Sequence, residues 1–386
     1  MKKKSYLLIM TICIIGCKKP YSPPVITSSS SYLVVEGVIN AGSDSTVIKL
    51  SRTVNLSSKS TKNPERDAML TVESDQNTVY PLTETKAGYY MASGLNLDTT
   101  RKYRLRIKTS NNQQYLSDYA QVKVTPPIDS IGFTVKNDGI QIYANAHDPA
   151  NNTHYYLWDY NETWKFHAKY ASNYITNGVA IVNRTADQFT YFCFANDTSS
   201  SIVLGSSAKL KQDVIYQGPI TSIESTSEKI ETEYSIQVHQ YALTGDAYTF
   251  WENIKKNTEQ LGSIFDAQPS NIKGNIHNVN NPAESVIGYV SVCVVRTKRI
   301  FIFNNQLPVW NPADPYNCQL DSELYMYCKP NCINQVALNL IPLGSAEIPV
   351  YEVPIGSPFP IGYMSASNYC TDCTLRGSKT QPAFWK

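Results

Sequence analysis

Little in this sequence carries charge, and the charges present nearly cancel. Charged side chains make up 17% of the chain and the formal net charge is +2, which gives no strongly basic face of the kind nucleic acid selects. The standard catalytic signatures are also missing: there is no H-E-x-x-H, no G-x-S-x-G and no G-x-G-x-x-G after a strand. RGSKT lacks the Gly-Lys pair and the strand-to-helix setting of a phosphate loop. His147, His154, His167, His239 and His277 stand singly, without the spacing of a metal-binding pair. Asp148 and Asn151 in NAHDPANN fit turn chemistry better than cation binding. We therefore expect no catalytic residue, no cofactor, no metal and no nucleic-acid partner. After residue 16 no apolar run approaches the ~20 residues that span a bilayer, and no internal repeat is visible.

The informative features begin at the first residue. MKKKS is a basic cluster, followed by an apolar run from Tyr6 to Ile15 that is too short to cross a membrane. The run ends Ile14-Ile15-Gly16-Cys17, a small residue before a cysteine, resembling a bacterial lipobox. Residues 1–16 thus read as a lipoprotein signal peptide and Cys17 as the acylated residue; an ordinary signal peptide with a chance cysteine is the alternative. Acyl chains on Cys17 would make the membrane the first partner, anchored to and not spanned. The mature chain would have 386 − 16 = 370 residues. Residues 17–30, with SPPVITSSSS, read as a tether, because Pro and Ser build no core.

Of nine cysteines, Cys13 would leave with the signal peptide and Cys17 would be acylated, so 9 − 2 = 7 remain. Cys318, Cys328, Cys332, Cys370 and Cys373 crowd near the C-terminus. Export into an oxidising compartment makes disulfides the leading reading for them. Cys328 with Cys332 and Cys370 with Cys373 form close pairs, and Cys318 is able to replace a member. A four-thiolate zinc site is the chemical alternative, which would leave Cys318 idle. Cys193 in TYFCFA and Cys293 in VIGYVSVCVV read as buried small hydrophobes.

The 27 tyrosines and the short alternating runs predict a mainly β protein. In KYRLRIK, Tyr103, Leu105 and Ile107 face one way; Lys102, Arg104, Arg106 and Lys108 form a basic row on the other, read as a solvated strand face. Such runs over residues 31–126 predict an immunoglobulin- or transthyretin-like β-sandwich ending at Pro126–Pro127. Residues 127–386 predict a larger β-rich domain with one amphipathic helix at about 246–261, its stripe Ala247, Phe250, Trp251, Ile254 and Leu261, and Gly262 as C-cap. VIGYVSVCVVRTKRIFIF reads as a hairpin turning near Thr297–Lys298. In YYLWDYNETWKF the even positions from Tyr156 to Phe166 share one face, which sets Glu162 among aromatic rings. Trp158, Glu162 and Trp164 are therefore the candidate ligand cleft. Asp159 or Asp148 would be the second carboxylate of an enzyme, although Asp159 and Glu162 differ in strand parity.

LVVEGVI, PPIDSIGF, YYLWDYNETW, GSIFDAQPSNIKGNIHNVNNP, GYVSVC and the closing CTDCTLRGSKTQPAFW together resemble the domain-of-unknown-function family 4249, exported lipoproteins of Bacteroidota. The resemblance implies a β-rich outer-membrane lipoprotein, often encoded near TonB-dependent transporters, and supplies no catalytic residue. Members often carry acidic residues after the acylated cysteine where Lys18 and Lys19 stand here, so either face of the outer membrane is open. The expected function is a non-enzymatic binding or accessory subunit beside a TonB-dependent transporter, with a glycan or peptide as candidate ligand. A glycan- or peptide-active enzyme and a surface adhesin or spacer are the alternatives.

Overall fold

Alternation with period two is what a half-buried strand demands, because successive side chains point to opposite faces. The computed structural model describes residues 31–54, 63–259, 274–314 and 316–385. The expected signal peptide, Cys17, the tether, Leu261 and Gly262 lie outside them. The first unit contains β1 (Leu33–Asn40), β2 (Thr46–Arg52), β3 (Met69–Ser74), β4 (Val79–Lys86), β5 (Tyr89–Ala92), β6 (Lys102–Lys108), β7 (Gln114–Ser117), β8 (Ala120–Gln121) and β9 (Lys123–Val124). β4 pairs with β3 through its first half and with β5 through its second, which curls one sheet path around a shared core of Leu33, Ile48, Leu70, Val72, Leu105 and Ile107. The β4–β5 turn needs Gly88: its φ is +74°, and a Cβ there would lie 2.6 Å from the Leu50 carbonyl oxygen. On β6 the row of four bases faces out, and Arg104 and Arg106 both pair with Glu73 on the adjacent β3.

After the double proline, β10 (Ile128–Lys136), β11 (Gly139–His147) and β17 (Val214–Glu224) form one sheet of the second unit. Facing it are β12 (Tyr155–His167), β15 (Phe192–Thr198), β16 (Val203–Ser206), β18 (Glu233–Ala242) and β21 (Arg296–Phe303). β13 (Tyr174–Thr176) and β14 (Ile181–Asn183) form a separate hairpin. Ile140, Ile142 and Ala144 of one sheet meet Tyr156, Trp158, Tyr234 and Ile236 of the other in a sandwich-like core. Helix α1 (Gly245–Glu259) buries Ala247 and Phe250 against this unit. No helix among the described residues is long and apolar enough to cross a membrane.

The segment after α1 departs from the expected boundary and from the expected hairpin. β19 (Ile276–Asn278) pairs with β7, and β20 (Ser291–Val294) runs parallel to β1; Ile276, Val286, Val290 and Val292 all enter the first core. The chain then passes through Val295 directly into β21, which pairs with β18 in the second sheet. One extended run thus serves two sheets, and there is no turn at Thr297–Lys298. The physical reason is that Val290 and Val292 suit the first core while Ile300 and Ile302, beyond the basic RTKR, suit the second. The joint is further tied by Gln240 Nε2 donating to the Pro126 carbonyl at 2.9 Å and the Ala242 amide donating to Thr125 Oγ1 at 3.0 Å.

β22 (Asp321–Leu324), β25 (Glu347–Val353) and β26 (Gly362–Ser367) make a small C-terminal sheet, with the hairpin of β23 (Tyr327–Cys328) and β24 (Cys332–Ile333) beyond one end. Three disulfides join Cys193 to Cys373, Cys318 to Cys370 and Cys328 to Cys332. Cys370 and Cys373 are therefore not bonded to each other. Cys193, expected as a buried small hydrophobe, is instead a crosslinking partner, because β15 lies against the segment that carries Cys373. Cys293 is a free, buried thiol, which burial pushes up to about 12.

Candidate functional site

The alternation on β12 places the expected aromatic face inside. Trp158 is 1% exposed, and its indole N–H donates to Gln240 Oε1 at 2.9 Å. Trp164 is also buried, donating to Glu228 Oε1 at 3.3 Å. These two residues fill the core between the sheets and line no cleft, a correction to the sequence reading. The error was to read an aromatic stripe as a binding surface when period two makes it the buried face. Glu162 shares their face and is 5% exposed; it pairs with Lys229 Nζ and accepts from the Tyr234 hydroxyl at 2.8 Å. Burial, then the charge of Glu162, holds the Tyr234 phenol protonated well above its ordinary range. Of the three expected cleft residues, Glu162 alone borders open space, at one end of the groove described next.

The opposite face of the same strand carries the site. Antiparallel register sets Asp159, Asn161 and Thr163 of β12 beside His239, Gln237 and Ser235 of β18, and sets Gln237 beside Arg299 of β21. Thr198 and Asn196 of β15 extend the rows on the other side. Apart from Ser235, which is buried, these side chains floor two adjoining cavities of about 710 Å³ and about 460 Å³ that share Asn161, Thr198 and Gln237. Together they form one groove. Its upper wall comes from the first unit, with Asn40, Asp44 and Tyr89, and from Trp251 of α1. The Trp251 indole N–H is buried without a partner among the described residues. The lower wall is the C-terminal tail, with Thr380, Pro382 and Phe384.

The tail is held by several contacts. Ser378 bridges to Phe194 through two backbone hydrogen bonds of 2.8 and 2.9 Å. Trp385 is buried edge-on between Phe194 and Phe301, and its indole N–H donates to Glu233 Oε2 at 3.0 Å. Phe384 lies over the Arg299 guanidinium at 3.7 Å.

The carboxylates weighed for catalysis are all engaged. Both oxygens of Asp159 are taken, one by His239 Nδ1 at 2.5 Å and one by the Tyr241 hydroxyl at 2.7 Å. Burial, then the Asp159 charge, keeps the Tyr241 phenol protonated far above its ordinary range. Asp148 accepts the backbone amides of Ala150, Asn152 and Thr153, which is turn chemistry. Asp159 and Glu162 point to opposite faces. Among the described residues no three His, Cys, Asp or Glu side chains converge where a metal could sit.

A second surface lies at one end of the C-terminal sheet. Leu324 pairs with Gly362, and Gly362 with Val353, so the segments 325–333 and 354–361 leave the sheet together. Met326, Ile355 and Phe359 are 73%, 76% and 85% exposed there. Lys329 is the one charged residue in 325–346, and 353–363 has none. Exposed apolar side chains grouped on so little charge are the mark of an interaction surface.

No curated protein matches the chain. Solved structures similar to it include a two-domain fibronectin type-III segment from chicken tenascin, at 10% identity over 55% of this chain and 91% of that one, with a TM-score of 0.17. Another is the BSP domain of a biofilm associated protein, at 7% identity over 71% and 59%, with a TM-score of 0.12. Scores this low carry no argument about fold or activity. The family model described as Domain of unknown function (DUF4249) matches residues 18–299, well over half of the chain, and the protein belongs to that family.

Proposed function

We propose that this protein is a non-enzymatic binding subunit of the outer membrane, anchored through an acylated Cys17, that holds an oligosaccharide in the groove and works beside a TonB-dependent transporter. The observation that carries the ligand half is the chemistry of the floor. Asn161, Thr163, Thr198 and Gln237 present side-chain amides and hydroxyls on adjacent strands. Each both donates and accepts, as sugar hydroxyls do. Tyr89, Trp251 and Phe384 at the walls offer ring faces to the apolar C–H faces of a sugar. A peptide is the second candidate: β12 and β18 are interior strands whose backbone groups are already paired, so strand addition would have to use β15 or β21 at the sides of the floor.

The test is calorimetry with neutral and acidic oligosaccharide panels. The double variant Asn161→Ala/Gln237→Ala should weaken binding by about tenfold or more, with an unchanged melting temperature, since both side chains are on an open face. Binding of extended peptides in place of every oligosaccharide would overturn the ligand assignment.

The apolar end near Phe359 supports the membrane-partner half, as a seat for an apolar protein surface. Anchoring has its own check. Labelled palmitate should enter the wild type and not Cys17→Ser, which should also leave the membrane fraction; equal labelling of the two would remove the anchor from the proposal.

A further inference from the structure

We propose that Arg299 forms an anion subsite at the tail end of the groove, so that the ligand is an acidic oligosaccharide carrying a carboxylate at that position. The inference rests on the groove being an oligosaccharide site. It starts from a contrast among the arginines. Arg52, Arg104, Arg106 and Arg376 each face a glutamate. Arg299, like Arg184 and Arg296, has no carboxylate partner among the described residues, and of these three it is the one on the groove floor, beside Gln237.

Its guanidinium is nonetheless held in place. One Nη donates to Ser235 Oγ at 3.0 Å and the other to Gln237 Oε1 at 2.6 Å, and both acceptors are neutral. Phe384 covers one face of the group. A guanidinium has five N–H donors in a rigid plane, so three remain after these two bonds. An arginine fixed by neutral partners, with its remaining donors unspent, is pre-organised for a planar anion that completes its charge. Half-burial already disfavours its charged form and lowers its pKa, so the charge has a net demand for a counter-anion.

The nearby acids do not supply that anion. Glu162 is committed to Lys229 and Tyr234. Glu233 accepts from the Trp385 indole and lies four residues along β18 from Gln237, roughly 13 Å away by strand rise. Asp197 borders the same cavity from β15, three strands from β21 and about 14 Å away by strand spacing. Among the described residues no carboxylate completes Arg299; in this proposal the anion comes with the ligand, and the neutral amides between Arg299 and His239 read the adjoining sugar units.

The experiment is binding of the full mature protein to a panel of oligo-hexuronates and sialylated oligosaccharides, each paired with its carboxyl-reduced neutral counterpart. Wild type should bind an acidic member about ten- to a hundredfold tighter than its neutral counterpart. Arg299→Gln should abolish that preference, so that each acidic member binds no tighter than its neutral counterpart, and Arg299→Lys should restore part of it. Equal affinity for the two members of each pair would overturn the subsite and leave the groove reading standing. No binding to any member would overturn both. A preference that survives in Arg299→Gln would place the anion elsewhere and also overturn the assignment.

Discussion

Lys229→Met is expected to lower the stability of the protein by about 3 kcal/mol, because it leaves Glu162 as a buried carboxylate with no cation beside it. Glu162 is the charged residue that the aromatic face of β12 carries inward, and among the described residues the Lys229 ammonium and the Tyr234 phenol meet it. The phenol donates one hydrogen bond but no charge, so it does not replace the ammonium. The double variant Glu162→Leu/Lys229→Met should be less destabilised than Lys229→Met alone, since an apolar side chain of similar size removes the uncompensated charge. Urea unfolding of the three proteins is the measurement. Equal midpoints for wild type and Lys229→Met would show that Glu162 is solvated and not held by this pair.

The second large effect belongs to the long-range disulfide. Cys193 and Cys373 are 180 residues apart, of which the Cys318–Cys370 bond already short-circuits 52, leaving 180 − 52 = 128 residues in the closed loop. Opening a loop of that size by Cys193→Ser/Cys373→Ser should cost about 3–5 kcal/mol, mostly by enlarging the unfolded ensemble. The bond also stands just upstream of the tail that walls the groove. Ordering free chain costs about 1–2 kcal/mol per residue, against which burial of Trp385 returns a few kcal/mol. Without the crosslink the tail should release Trp385 to water, with a red-shifted emission and weaker oligosaccharide binding. Cys328→Ser/Cys332→Ser, which opens a separation of 4 residues, should cost much less and leave the groove unchanged. Unfolding midpoints measured without reductant decide this. A Cys193→Ser/Cys373→Ser protein as stable as wild type, with Trp385 still buried, would remove the tail from the account of the groove.

Local pattern determined a good deal about this protein. Period two in KYRLRIK and YYLWDYNETWKF dictated strands, and even the faces, because a one-residue slip would carry every side chain across the sheet. The stripe Ala247, Phe250, Trp251, Ile254 dictated α1, and the double proline marked the end of the first run of strands. The sequence also assembled the groove floor residue by residue, in Asp159-Tyr160-Asn161-Glu162-Thr163 and Gln237-Val238-His239. It did so without a signal, since an outward row of amides and hydroxyls looks the same whether it faces a groove or bulk water. That choice belonged to the tertiary structure: the first unit, α1 and the tail raise walls over that polar face. Tertiary structure also decided that the run from β20 to β21 serves two sheets, because the apolar residues at its two ends enter different cores. And it decided which cysteine meets Cys373, because a disulfide needs two Cα atoms within about 7 Å, a distance that chain separation does not encode.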